Sequence, residues 1–276
     1  MSPGGRPARR EPGSKARREP GGKPARRELG GDQVEGRQAV RELLVAGRRR
    51  VHEIQVALGD DTRGPLHDLV ELAGKSRVPV KHVSAGKLAA AARTEAPQGV
   101  LARCAPLEEV ELDTLVKRRK GRAPLLVAVD GVTDPGNLGA LLRAAECAGV
   151  TGVVLPRHRS VHITPTVAKA AAGAIEHLPM TVVPGLPAAL ERMKGDGLWV
   201  VGLDGGGETP IDQLTLAAEP VVLVLGAEGA GLSPLVRKRC DVVAAIPLRG
   251  RLGSMNVAAA AAIACYEVAR QRALSD

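Results

Sequence analysis

The sequence predicts an α/β protein: a large C-terminal domain built on a parallel sheet, preceded by a smaller α/β unit. Three observations predict this. From Leu125 onward, short and almost unbroken apolar runs alternate with helical segments, the texture of strands covered on both faces. A shorter alternation of strand-like and helix-like segments occupies roughly the 75 residues before it, enough for a small domain. Between the two lies a charged stretch ending in Gly and Pro, the composition of a boundary.

Taken in order, residues 1–31 read as a disordered basic tail. The motif Ala-Arg-Arg-Glu occurs three times, at Ala8–Glu11, Ala16–Glu19 and Ala25–Glu28, and the tail carries nine basic against three acidic residues. So little apolar area cannot offset the entropy of ordering. The tail is either a solubilising extension or a floppy RNA-binding arm, which truncation and RNA affinity measured against salt would separate. Residues 32–108 form the small unit. Val40, Leu43 and Leu44 sit at helical spacing within Gly36–Val45, and His52–Leu58 alternates as a strand. A helix at Pro65–Ala73, a strand at Val78–Val83, a short helix at Leu88–Ala92 and a strand at Gln98–Cys104 complete it. Residues 109–122 read as a linker, in which the run Lys117–Arg122 is either a solvated helix end or an RNA contact.

The domain at 123–276 has strands predicted at Leu125–Val129, Gly152–Leu155, Thr181–Val183, Leu198–Leu203, Val221–Leu225 and Val242–Ile246. Helices are predicted at Leu138–Ala148, Thr166–Ile175, Pro187–Lys194, Pro234–Arg239 and Asn256–Leu274. Pro187 and Pro234 suit a first helical position, where the missing N–H is no loss. The connections should be right-handed crossovers. Val257–Ala264 is apolar nearly all round and should pack on the sheet or on a partner chain.

Composition narrows the function. Trp199 and Tyr266 are the only aromatic residues, so the cores must be aliphatic and modules that stack bases on aromatic platforms are disfavoured. A net charge of +9 fits a polyanionic partner. Cys104, Cys147, Cys240 and Cys265 are far apart with no CxxC, which argues against a disulfide framework or zinc site and for a reducing compartment such as the cytoplasm. Cys147 falls on a helical apolar pattern and is expected in the core. Among the histidines only His158 and His162 share i,i+4 spacing, and no metal site is expected. No apolar run spans a membrane, and the basic start lacks the apolar core of a signal peptide.

Ligands of open α/β sheets bind beyond the carboxyl ends of the strands, and three strands here lead into unusual loops. In Asp130–Arg143, Asn137 either caps the following helix or presents its amide to a phosphate or ribose, and Arg143 stands on the helix itself. In Leu225–Ser233, three glycines around Glu228 form either a structural turn or a close backbone approach to a ligand. That loop matches neither GxxxxGK[ST] nor GxGxxG, which counts against a P-loop and a dinucleotide site. Ser233 should cap a helix starting at Pro234. In Ile246–Asn256, Ser254 and Asn256 stand at a helix entrance, as caps or as ligand contacts, and Arg249 and Arg251 suit phosphate.

Together, Asn137-x-Gly139-x-x-x-Arg143, Leu225-Gly-Ala-Glu-Gly-x-Gly231 and Ile246-Pro-Leu…Ser254-Met-Asn256-Val closely resemble the three ordered motifs of the SpoU, or TrmH, family of the SPOUT superfamily. These are S-adenosylmethionine-dependent RNA ribose 2'-O-methyltransferases. Each motif is weak alone; three in order, each leaving a strand, are specific. The segment Gly36–Leu44 and the unit after it resemble the family's ribosomal-protein-like (L30e-like) substrate-binding domain, and the layout is most similar to the bacterial 23S ribosomal RNA guanosine branch.

The resemblance implies a trefoil-knotted C-terminal domain, a homodimer formed through it, and a bent cofactor held largely by backbone groups. It places Gly226, Ile246 and Met255 on S-adenosylmethionine, with Leu225, Leu248 and Gly231 nearby. Met255 replaces the family's usual Leu, and Leu248 a frequent Met. Arg143 matches the arginine proposed to contact RNA phosphate and help activate the hydroxyl, while Asn137, Glu228, Ser254 and Asn256 would shape the catalytic pocket. The implied partner is ribosomal RNA, 23S before transfer RNA. The rival readings are a transfer-RNA enzyme, an antibiotic self-protection enzyme acting on ribosomal RNA, and a non-catalytic RNA-binding protein on the same fold.

Overall fold

The structure, a computed structural model, describes residues 28–58, 64–118, 121–158, 162–216 and 218–275. Most of the expected tail therefore lies outside the described residues, as do Arg119 and Lys120 of the basic run. The last tail residues depart from the expectation of disorder. Leu29 N–H donates to the Leu107 carbonyl at 2.8 Å, Leu107 N–H returns to Gly30 at 2.9 Å, and the Leu29 side chain is buried in the core of the C-terminal domain. One leucine at the end of a polar segment has enough apolar surface to be held there.

The N-terminal unit runs β1 (Gln33–Glu35), α1 (Arg37–Ala46), β2 (Val51–Ala57), α2 (Pro65–Lys75), β3 (Val80–Val83), α3 (Ala85–Ala91) and β4 (Val100–Cys104). The sheet order is β1-β4-β2-β3, with β4 antiparallel to both neighbours and β3 parallel to β2. Its core contains Val40, Leu43, Ile54, Val56, Leu66 and Leu69. Strand β1 has no counterpart among the expected strands, because two of its three residues are polar. Burial is possible because the Glu35 carboxylate accepts from Gln33 Nε2 at 2.7 Å and from the backbone N–H of Arg93 and Thr94 at 2.7 and 3.1 Å.

The stretch expected to be a linker is part of the C-terminal domain's packing. It holds a short helix, α4 (Leu112–Leu115), whose Leu112 and Leu115 are buried. Its Val110 N–H donates to Met180 at 2.8 Å, and Glu109 accepts from Val182 N–H at 2.9 Å.

The C-terminal domain continues with β5 (Leu125–Asp130), α5 (Pro135–Cys147), β6 (Gly152–Pro156), α6 (Pro165–Ala170), β7 (Met180–Val183), α7 (Leu186–Gly195), β8 (Trp199–Leu203), β9 (Thr209–Pro210), β10 (Val221–Gly226), α8 (Pro234–Arg237), β11 (Val242–Ala245) and α9 (Val257–Ser275). The seven strands lie in the order β7-β6-β5-β10-β8-β11-β9, and every pairing is parallel. Alternate residues of β5 and β10 face opposite layers. Leu125, Val127, Val129, Val221, Leu223 and Leu225 join the core under α5, α6 and α9, whereas Leu126, Ala128, Val222 and Val224 join the core under α4, α7 and α8. Both sheet faces are thus covered, which is why the strands read as continuous apolar runs. Helix α9 buries Val257, Ala258, Ala261, Ala264, Cys265 and Val268, a stripe at helical spacing.

Three local expectations are corrected. The helix predicted over Thr166–Ile175 ends at Ala170, where Ala172 and Gly173 take φ of +50° and +94°. The break lets the chain touch α1: a Cβ on Gly173 would lie 2.3 Å from the Glu42 Cβ. Cys147 is exposed, not in the core, because the buried stripe of α5 runs through Leu138, Leu141, Leu142 and Ala145 on another face. Ser233 occupies the cap position before Pro234 but makes no side-chain cap; its backbone N–H donates to Asp130 Oδ2 at 2.7 Å.

The two domains are joined by a buried ion pair. Arg49 Nε donates to Glu176 Oε2 at 3.0 Å, with the two side chains only 5% and 1% exposed. Arg49 Nη2 donates to Glu176 Oε1, Arg49 Nη1 reaches the Gly31 and Ala105 carbonyls at 2.7 and 2.8 Å, and Arg48 reaches the Glu176 carbonyl at 3.0 Å. The pair is hydrogen-bonded on all sides, the condition under which buried charge is tolerated.

Candidate active site

The loops after β8, β10 and β11 meet at the carboxyl edge of the sheet around a cavity of about 340 Å³. The position is the one that open parallel sheets reserve for ligands. Leu225, Gly226, Gly231, Ile246, Leu248 and Met255 all line this cavity, as do Glu228 and Ser254. These eight residues of the second and third loops therefore converge, although they are separated by up to thirty positions in the chain, whereas Asn256 and the exposed Arg249 and Arg251 do not line the cavity.

Backbone geometry makes the cavity. After β10 the chain folds back on itself: Ala227 N–H donates to the Gly231 carbonyl at 3.0 Å, and Gly231 N–H to Ala227 at 2.9 Å. Gly231 adopts φ of +66°, which L side chains rarely take. Gly226 is required for space: a Cβ there would lie 2.3 Å from the Gly231 carbonyl carbon. The walls are main chain and aliphatic side chains, suited to a flat apolar group edged by hydrogen-bonding atoms.

A chain of amides connects the cavity to α5. Asn137 Nδ2 donates to Glu228 Oε2 at 3.1 Å, and Asn256 Nδ2 donates to Asn137 Oδ1 at 2.8 Å. Asn256 Oδ1 in turn accepts from the N–H groups of Ala258 and Ala259 at 2.9 and 3.3 Å, so it also caps α9. Asn137 is not a cap. That role belongs to Asp134, whose Oδ1 accepts the Asn137 N–H at 2.6 Å, leaving the Asn137 side chain free to cross between loops. Arg143 lies nearly two turns further along α5, exposed and with no hydrogen bond or ion pair among the described residues.

Sequence reasoning missed the wall after β8. Leu203, Asp204, Gly205 and Gly206 line the cavity. Burial works against charge on Asp204, but the Gly206 and Leu232 N–H groups and the Arg237 guanidinium outweigh it and hold the carboxyl below the usual Asp value. The strand itself is evident in the sequence; its loop stands out only when every strand end is treated as a ligand position. Among the described residues no group of three or more His, Cys, Asp or Glu is placed to hold a metal ion, and no helix is long and apolar enough to cross a membrane.

Residues 124–266 match the family described as SpoU rRNA Methylase, and residues 33–110 the family described as RNA 2'-O ribose methyltransferase substrate binding. The 23S rRNA (guanosine-2'-O-)-methyltransferase RlmB of Pseudomonas aeruginosa is 41% identical over 245 residues, covering 87% of this chain and 97% of its own. A Staphylococcus saprophyticus protein, provisionally named a TrmH family tRNA/rRNA methyltransferase, is 38% identical over 242 residues, covering 86% and 94%. The crystal structure of the SpoU methyltransferase AviRb from Streptomyces viridochromogenes shares the fold, with a TM-score of 0.73 at 24% identity over 88% of this chain and 90% of that one.

Fold and family matches together define an RNA ribose 2'-O-methyltransferase. Within that class the chain belongs to the SpoU family, with both its methylase domain and its substrate-binding domain present.

Proposed function

We propose that this protein methylates the ribose 2'-oxygen of a guanosine in 23S ribosomal RNA, with the cavity at Gly226, Ile246 and Met255 holding the cofactor. The observation that carries the reading is the convergence of the glycine turn, the β11–α9 loop and the amide chain Glu228–Asn137–Asn256 at one sheet edge. The cradle fits the cofactor: Gly226 leaves no room for a side chain, and Leu225, Ile246, Leu248 and Met255 offer an apolar bed. The near-full-length relative that acts on 23S ribosomal RNA supports that substrate.

S-adenosylmethionine supplies an electrophilic methyl group. The chain's residues have to bring a 2'-hydroxyl into line with it and stabilise the charge that develops. Arg143, exposed and without a partner among the described residues, is suited to an RNA phosphate beside the reacting ribose. A guanidinium is too weak a base to take the hydroxyl proton, so its work is orientation and electrostatic stabilisation. Glu228 and Asn256 fix both ends of the Asn137 amide, so its orientation is set before RNA arrives. Ser254, exposed at the cavity mouth, is placed to bind a polar edge of either ligand.

The same reading includes a knotted C-terminal domain. It is supported by β10 entering the sheet between β5 and β8, and by the end of α9 being tied back to both flanks. Arg272 there donates to the carbonyls of Ala123 at 2.7 Å, Pro124 at 3.1 Å and Glu219 at 2.7 Å. A homodimer through this domain is supported by Ile263 and Tyr266, which α9 leaves exposed. The enzyme would work in the cytoplasm, where its substrate is made. The test is mass mapping of ribose methylation after incubation with unmodified ribosomal RNA and labelled cofactor. A 2'-O-methylguanosine in 23S RNA is expected. Methylation confined to bases would overturn the reaction, and transfer to transfer RNA alone would overturn the substrate.

A further inference from the structure

We propose that Asp204 is a positioning residue of the methyl-transfer reaction: its carboxylate clamps two of the three cavity walls together and thereby sets the shape that receives the cofactor. The inference rests on the assignment of this cavity to S-adenosylmethionine.

The carboxylate divides its oxygens between two loops. Oδ1 accepts from Gly206 N–H at 2.9 Å, within the wall that follows β8. Oδ2 accepts from Leu232 N–H at 3.2 Å, at the end of the glycine turn that follows β10. The turn comes so close that a Cβ on Gly231 would lie 2.6 Å from Oδ2, so the absence of a side chain at Gly231 is what allows the contact. The third wall is joined through main chain. Asp204 N–H donates to the Ala244 carbonyl at 3.0 Å, near the end of the strand that leads into the β11–α9 loop, and Gly207 packs on the Ala244 backbone.

The clamp has its own support. Arg237, from α8, makes an ion pair with Oδ1 at 2.8 Å and donates to the Gly206 carbonyl at 3.0 Å. One guanidinium thus holds both the clamping carboxylate and the loop being clamped, a fork that lysine cannot reproduce. Hydrogen bonds from backbone N–H to a charged acceptor are among the stronger ones. Because Gly205, Gly206, Gly226, Gly229 and Gly231 present main chain to the cavity, its fit depends on where these loops sit. Loss of the clamp should appear first as weaker cofactor binding.

The experiment uses the full chain. Calorimetric titration with S-adenosylmethionine, melting temperature, and kcat and KM for each substrate are measured for wild type, Asp204→Ala, Asp204→Asn and Arg237→Lys. Losing a charge-assisted hydrogen-bond set of this kind should weaken cofactor binding about tenfold or more in Asp204→Ala. KM for the cofactor should rise in step, while kcat at saturating cofactor and KM for RNA change much less. Asp204→Asn can still accept one N–H but must turn its amide toward the other, so it should fall between Ala and wild type, and Arg237→Lys should do the same. Unchanged cofactor affinity in any folded Asp204 variant would overturn the inference. So would equal losses in both KM values and kcat, tracking the melting temperature, which is the signature of a merely structural brace. If Asp204→Ala fails to fold, the Asn and Lys variants decide by the same criteria. Wild type that binds no S-adenosylmethionine would instead overturn the assignment of the cavity, and this inference with it.

Discussion

Gly226→Ala should close the cofactor pocket without disturbing the sheet that carries it. The added methyl carbon would lie 2.3 Å from the Gly231 carbonyl carbon, 2.4 Å from its oxygen and 2.6 Å from Leu232 N. Carbon atoms in contact settle at about 3.5–4.0 Å, so the turn must retreat by roughly an ångström. The obstacle is backbone, which cannot rotate away as a side chain would. Overpacking of this type costs about 1–3 kcal/mol, and a displacement of that size beside reacting groups can cost about a hundredfold in rate. Gly226 does not take a positive φ, so the effect is purely one of space. Gly185, with an extended backbone and no atom within 4 Å of where a Cβ would stand, is the matched control. Methyl transfer from labelled cofactor and calorimetric binding should show Gly226→Ala crippled and Gly185→Ala near wild type. A Gly226→Ala protein that binds the cofactor as tightly as wild type would refute the assignment of this turn to the pocket.

Arg143→Ala should leave cofactor binding intact and lower kcat/KM for RNA by about a hundredfold or more, the scale of one lost transition-state donor; normal turnover would remove its role. Glu176→Ala strands the Arg49 charge in the domain seam and should destabilise the protein by about 3–5 kcal/mol in urea unfolding, whereas a fully exposed pair would cost under about 1 kcal/mol. The Asp204 carboxyl sits below its ordinary value, so its contribution to stability is full at neutral pH and is lost as pH falls from that value through the lower folded one. The stability gap between wild type and Asp204→Asn should therefore narrow in acid, and a gap constant with pH would contradict the clamp's charge. Of the four thiols, exposed Cys147 should react fastest with a disulfide reagent at about pH 8, while Cys265, pushed up to about 12 by burial, should react only on unfolding.

The parts of this molecule that can be read in advance share a physical property: their signal is local. The runs Leu125–Val129 and Val221–Leu225 are apolar because both sheet faces are covered, and that shows in five consecutive residues. Glycine turns announce themselves the same way, so the loops at Gly226 and Ser254 are legible. What resists reading depends on partners distant in the chain. Strand β1 looks polar until the N–H groups of Arg93 and Thr94 are found waiting for Glu35. Asn137 and Asp134 are both competent caps, and only the cross-loop bond to Glu228 shows which is spared for other work. Asp204 sits before three glycines and reads as an ordinary turn, since neither Leu232 nor Arg237 is adjacent in sequence. Leu29 is hidden among basic neighbours, yet the core of a domain far along the chain receives it.

The buried Arg49–Glu176 contact carries a consequence for target choice. Two units hinged on a loose tether can sample many separations, and an RNA could be caught by one and searched by the other. Here the seam is held by desolvated charge, so the reach from the substrate-binding unit to the cavity at the sheet edge is set by the fold, like the gap of a caliper. Selection among thousands of chemically identical riboses then falls to the RNA, which must bring one of them to that fixed distance from its own foothold.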